Sequence, residues 1–139
     1  MIANRSMPSS TVIPVLTCPD LEATIAWLGA AFGFTVRLRI ANHRAQLNVG
    51  DGHIVLAAQS TPDGATPPSR DTVMIRVDDV DALHRRAFAA GARVLQPPTD
   101  FPYGERQCSV ADLTGRVWSF SQSIGDVAPE TWGGSSANL

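Results

Sequence analysis

The feature that most constrains this chain is an internal repeat. In the first half an apolar run, Val12 to Thr17, leads into Asp20-Leu21 and then into apolar residues at helical spacing: Leu21, Ile25, Leu28 and Phe32. In the second half Val73 to Val77 leads into Asp79-Val80, with the same spacing at Val80, Leu83, Ala87 and Ala90. Each Asp is suited to cap a helix, because its carboxylate accepts a backbone N–H bond from the first turn. Each helix then meets a glycine, Gly33 or Gly91, where the chain can turn left-handed. The Asp residues lie 59 apart and the glycines 58 apart, so the helices superpose within one residue.

The repeat continues beyond the helices. Gln46 to Asp51 and Gln107 to Asp112 both read Q-x-x-V-x-D, at a constant offset of 61. A turn follows each Asp, and a β-rich run follows each turn, His53 to Ala58 or Val117 to Ser121. Thr35 to Ile40 and Arg93 to Leu95 supply one more short strand per copy. Each half is therefore predicted as β-α-β-β-β. The domain plan is a flexible polar leader over 1–10, a single domain over 11–124 and a loosely attached C-terminal tail over 125–139. Within the domain, module one covers 11–60, a Pro/Gly-rich linker 61–71 and module two 72–124. Gln96 to Glu105, with Pro97, Pro98 and Pro102, is expected to be irregular.

The expected fold class is α+β, with two βαβββ modules forming a curved mixed sheet around a cup. A single βαβββ unit covers one sheet face with its helix and leaves the other free. Two units with helices outside would curve the free faces into a concavity, the kind of surface on which small ligands bind. At 139 residues, 44% hydrophobic and 17% charged, the chain is long enough for a proper core. A formal charge of −2 and no Lys/Arg run argue against a nucleic-acid partner. No apolar run approaches the ~20 residues of a membrane span. Cys18 and Cys108 are too few for a disulfide framework, so reduced thiols and a cytoplasmic location are expected.

Three blocks carry a family resemblance: PVLTCPDLEATIAWLGAAFGF, VDDVDALHRRAFAAGARV and YGERQCSVADLTGRVWSF. Together they resemble the vicinal oxygen chelate superfamily, that is, glyoxalase I, extradiol dioxygenases and bleomycin-resistance proteins, over roughly Val12 to Gln122. The last block is similar to the family's D-P-x-G-x-x-W-x-F turn, with Leu113 in place of Pro. The resemblance implies four strand positions for a divalent metal, and these fall on Pro14, Leu56, Thr72 (or Val73 one residue along) and Ser119. Pro14 and Leu56 offer no donor, and lone Thr or Ser hydroxyls are poor ligands. No metal and no cofactor are therefore expected, and no catalytic residue is assigned. The V-P-V-L-T type run resembles the bleomycin-resistance branch, which implies a homodimer that sequesters a drug. Pro14 itself reads equally as an edge-strand marker or as a swap hinge.

The expected ligand-binding residues are Phe101, Tyr103, Glu105, Gln107, Gln46, Leu56 and Ser119. Phe101 and Tyr103 precede a strand in a Pro-interrupted segment, where aromatics can stack on a planar ligand. Glu105, Gln107 and Gln46 sit at strand starts and can aim polar groups inward. Trp118 and Phe120 share one strand face and read as core, leaving Ser119 on the other. Cys108 reads as a buried thiol. His84 lies on a solvated helix face, while His43 and His53 leave open an unconventional metal site. The function expected is metal-independent binding of an apolar or aromatic small molecule, with antibiotic resistance as one outcome. The alternative is a glyoxalase-like lyase, isomerase or dioxygenase with a non-standard metal site, so the chain leans away from being an enzyme without excluding it.

Overall fold

A computed structural model of the chain describes residues 2–59 and 71–138. It divides into two compact units, one on each side of the expected linker. All of that linker but Asp71 lies outside the described residues.

Module one contains β1 (Val15–Cys18), α1 (Leu21–Phe32), β2 (Thr35–Ile40), β3 (Arg44–Val49) and β4 (Gly52–Ala58). Its four-stranded sheet has the order β1-β4-β3-β2, with β1 parallel to β4 and the other pairs antiparallel. Module two repeats this with β5 (Val73–Arg76), α2 (Val80–Ala89), β6 (Arg93–Phe101), β7 (Glu105–Ala111) and β8 (Val117–Ser123), in the order β5-β8-β7-β6. Two four-stranded mixed sheets with one helix each make this an α+β fold, as the repeat predicts.

The helix boundaries follow from local chemistry. Asp20 accepts the Ala23 N–H at 3.0 Å, and Asp79 accepts the Ala82 N–H at 3.0 Å, each tying down an orphan donor of the first turn. α1 stops at Gly33, whose φ of 79° lets its N–H turn back to Gly29 and Leu28 carbonyls.

Two polar links show which sheet face each helix covers. Glu22 on α1 pairs with Arg39, which stands opposite Ala45 in the β2–β3 ladder. Strand alternation then puts Ala45, Leu47, Ile54 and Leu56 on the α1 side, where all four are buried. In module two Asp81 on α2 pairs with Arg106 at 3.0 Å, and the Val80 N–H donates to Gln122 at 2.9 Å. Cys108, Val110, Trp118 and Phe120 share that face and are fully buried. Each such large apolar side chain contributes roughly 1.5–3 kcal/mol by leaving water.

The expected irregular stretch proves to be regular for most of its length. β6 runs on through Pro97 and Pro98 to Phe101, with register shifts between Val94 and Gln96 and between Gln96 and Thr99. β6 is an edge strand, so a proline without a donor can point its nitrogen side away from β7 at a bulge. The first strand is shorter than its apolar run, starting at Val15, although the Pro14 carbonyl still accepts the Val55 N–H at 2.9 Å.

Candidate functional site

The free face of module two carries a continuous polar chain. Alternation along β7 and pairing with β8 place Glu105, Gln107 and Ser109 beside Ser123, Ser121 and Ser119, all on the side away from α2. Met74 and Arg76 of β5 extend this face next to Ser119 and Ser121. The Tyr103 hydroxyl donates to Gln107 Oε1 at 2.9 Å, and Gln107 Nε2 donates to Ser121 Oγ at 3.0 Å. Ser121 Oγ in turn donates to Glu105 Oε1 at 2.6 Å. Every donor in this series meets an acceptor, so the glutamine amide and both hydroxyls are held in one orientation.

Glu105 is the charged end of the series. The Ser121 hydrogen bond above all, then Ser123 and the Arg76 charge, hold its carboxyl below the usual glutamate range, while burial opposes them. Arg76 Nη1 also donates to Ser123 Oγ at 2.8 Å. The other end of the series is aromatic. Tyr103 stacks on Phe101 with ring centroids 5.4 Å apart and planes 11° from parallel. Trp132 meets the same tyrosine, with ring centroids 5.3 Å apart.

Trp132 comes from the segment expected to be a loose tail. It ends a 3-10 turn, Pro129–Trp132, and that segment is anchored at its root. The Ile124 N–H donates to the Gly104 carbonyl at 2.9 Å, and Gly104 sits in the β6–β7 hairpin with φ of 81°. A Cβ at this position would stand 2.4 Å from the Gly125 carbonyl oxygen, so only glycine admits the tail. Trp132 remains 44% exposed, an aromatic surface open to a partner ring.

Phe101, Tyr103, Glu105 and Gln107 are therefore one cluster on one hairpin, and Ser119 lies on the same sheet face. Gln46 and Leu56 are in the other module and on opposite faces of its sheet. Leu56 is 2% exposed and belongs to the layer beneath α1. Gln46, only 3% exposed, lies on the free face of module one, covered by the leader. Its Nε2 donates to the Ser6 carbonyl at 2.9 Å, and Arg37 donates to its Oε1. The leader expected to be flexible is thus hydrogen-bonded to the sheet. Ser121, Arg76, Arg37 and Trp132 were not singled out from the sequence. Ser121 was within reach of it, two residues along the strand from Ser119.

The metal positions implied by the resemblance do not fit a cation. Leu56 is packed under α1, Val73 pairs with buried Trp118, and Ser119 offers a hydroxyl. Among the described residues no three His, Cys, Asp or Glu side chains come together to hold a metal ion. His53 Nδ1 is hydrogen-bonded to Ser10 Oγ at 2.9 Å, and His43 lies exposed in the turn before β3. Burial pushes the Cys108 thiol up to about 11, with the Asp81 charge adding to it, which leaves it protonated and inert as a nucleophile near neutrality.

Comparison with known proteins follows the same lines. Residues 11–120 match the family model of the Glyoxalase/Bleomycin resistance protein/Dioxygenase superfamily. An uncharacterized protein of Mycobacterium bovis is 36% identical over 92 residues, covering 65% of this chain, and the chain spans only 59% of that relative. The crystal structure of TioX from Micromonospora sp. ML1 superposes with a TM-score of 0.70 at 32% identity, covering 84% of this chain and all of that one. A bleomycin resistance determinant encoded on the transposon Tn5 shares the fold, with a TM-score of 0.68 at 22% identity, covering 83% of this chain and 98% of that one.

Proposed function

The chain belongs to the Glyoxalase/Bleomycin resistance protein/Dioxygenase superfamily, and from that premise we propose that it is a metal-independent binder of an apolar or aromatic small molecule. Superfamily members bind small molecules. The observation that carries the reading here is the Phe101–Tyr103–Trp132 cluster joined to an oriented polar series. A planar ligand stacks on the exposed aromatic surface, while Gln107, Ser121, Ser119 and Glu105 fix its orientation. Sequestration or recognition needs nothing further, and a drug is among the ligands this chemistry suits. A cytoplasmic homodimer is part of the same reading, supported by family likeness and by edge strand β1 after Pro14. Light scattering checks the dimer, and a clean monomer at micromolar concentration counts against it.

The binding test is a tryptophan-fluorescence titration with bleomycin and a set of planar heteroaromatic compounds. We expect at least one to change the Trp132 emission, equally with and without EDTA. Tyr103→Ala should weaken that binding about tenfold, since it removes one ring from a stacked set. Loss of binding in EDTA, or no emission change across the set, would overturn the reading. A catalytic alternative gains ground only if the purified protein carries a stoichiometric transition metal.

A further inference from the structure

The free face of module one already holds an occupant, and the occupant is part of the same chain. Arg37 Nη2 donates to the Arg5 carbonyl at 2.9 Å and to the Met7 carbonyl at 3.1 Å. Gln46 Nε2 takes the carbonyl between them, that of Ser6, at 2.9 Å. Arg37 Nη1 is tied to Gln46 Oε1, so the two side chains act as one fork. Three consecutive peptide carbonyls are thereby gripped by two side chains. Ser10 Oγ meets His53 on β4, which carries the leader across three strands of this face.

The fork reads oxygens and their spacing, not the leader's side chains. Arg37 projects from the β2 bulge, between Val36 and Leu38, and so reaches Gln46 from a position the regular ladder would not give it. Gln46 is too buried to leave an amide donor unpaired without a cost of about 1–3 kcal/mol. Its twin in module two, Gln107, meets this need with side chains of its own module. A backbone partner is thus particular to module one. Next to the gripped carbonyls, Arg5, Met7, Ser9, Thr11 and Arg37 border a cavity of about 710 Å³, room for groups branching from a bound chain.

We propose that the free face of module one is a second binding site, for an extended peptide or peptide-like amide, and that residues 4–10 are its tethered occupant. An incoming ligand offering successive carbonyls displaces the leader, whose tether gives it a millimolar-range effective concentration. This site stands apart from the aromatic cluster of module two, and either can fail without the other.

The test uses the full-length protein and a blocked peptide of the leader's own sequence, Ac-Asn-Arg-Ser-Met-Pro-amide. Ser6→Pro removes the N–H that bonds Asn4 Oδ1 and puts proline at the third residue of the Asn4–Met7 turn, where it is disfavoured. Calorimetry should show this variant binding the peptide at least tenfold more tightly than the wild type. Arg37→Met should also free the leader, seen as faster amide exchange over residues 4–10, yet leave the peptide unbound. A Ser6→Pro protein that binds the peptide no better than wild type would make the leader a simple cap and end the proposal. So would unchanged exchange in Arg37→Met, because the fork would then not be holding the leader.

Discussion

Module one and module two place the same glutamine at the same point of the same strand and give it different partners. Gln46 in β3 holds the leader's backbone, whereas Gln107 in β7 joins Tyr103 to Ser121. The faces under the helices differ less, each being a closed layer of apolar side chains. A duplicated scaffold of this kind is pinned by packing on one side and free to diverge on the other. The free faces are where a function can differ between the halves. The turn after the Q-x-x-V-x-D motif teaches the same lesson. Asp51 lies exposed in a tight hairpin, while Asp112 is buried and accepts from Trp118 Nε1 at 2.8 Å and from Thr114 and Arg116 N–H groups.

The sharpest break of this comparison is at Trp118. It stands opposite Val110, and the matching place in module one, opposite Val49, is Gly52. Trp118→Ala should destabilise the protein by about 3–5 kcal/mol in urea denaturation, because it empties a fully buried site and leaves Asp112 short of a donor. Gly52→Ala should shift stability by less than about 1 kcal/mol, since the added methyl meets its nearest atom, the Val49 carbonyl, at 3.4 Å. Similar costs for the two would mean that the modules share one packing solution after all.

A smaller effect separates two hairpin glycines. Gly104 and Gly50 both have positive φ, at 81° and 57°. A Cβ at Gly50 would stand in open space, so Gly50→Ala costs only the backbone penalty of about 1–2 kcal/mol. Gly104→Ala adds a collision with the Gly125 carbonyl, and should detach the tail as well as destabilise the hairpin by about 1–3 kcal/mol. Detachment is read as a red shift of Trp132 emission in Gly104→Ala and none in Gly50→Ala. Equal spectra would show that the tail is not held through Gly104.

Much of the fold was legible because the signals were local. Asp20, Asp79 and Gly33 act within one helical turn of themselves, and Trp118 and Phe120 obey simple alternation. The hairpin cluster of Phe101, Tyr103, Glu105 and Gln107 was legible for the same reason, being nearly contiguous. What escaped depended on distant partners. Pro97 and Pro98 argue against a strand until β6 is known to lie at a sheet edge. Leu56 came from aligning a strand position, and a one-residue difference in register moves a side chain to the opposite face. Arg37 and Trp132 act through a bulge and a tail contact that no periodicity announces.

The smallest effect concerns charge. At the offset that superposes the two glutamines, Glu105 of module two faces Arg44 of module one, so the two free faces carry opposite charges at one place. The Ser121 bond, helped by Ser123 and Arg76 and opposed by burial, lowers the Glu105 pKa in the folded state. A lowered folded value means that the stabilisation is complete above the unfolded glutamate value of about 4.3. It is lost as pH falls through the folded value, where the native carboxylate takes up its proton. Glu105→Gln keeps an acceptor for Ser121 but cannot titrate, so its urea midpoint should fall less than that of the wild type between pH 7 and pH 3. Arg44→Gln, which stays outside this titration, should follow the wild type. If Glu105→Gln loses as much on acidification as the wild type does, the polar series is not oriented by a carboxylate, and the two free faces differ in shape alone.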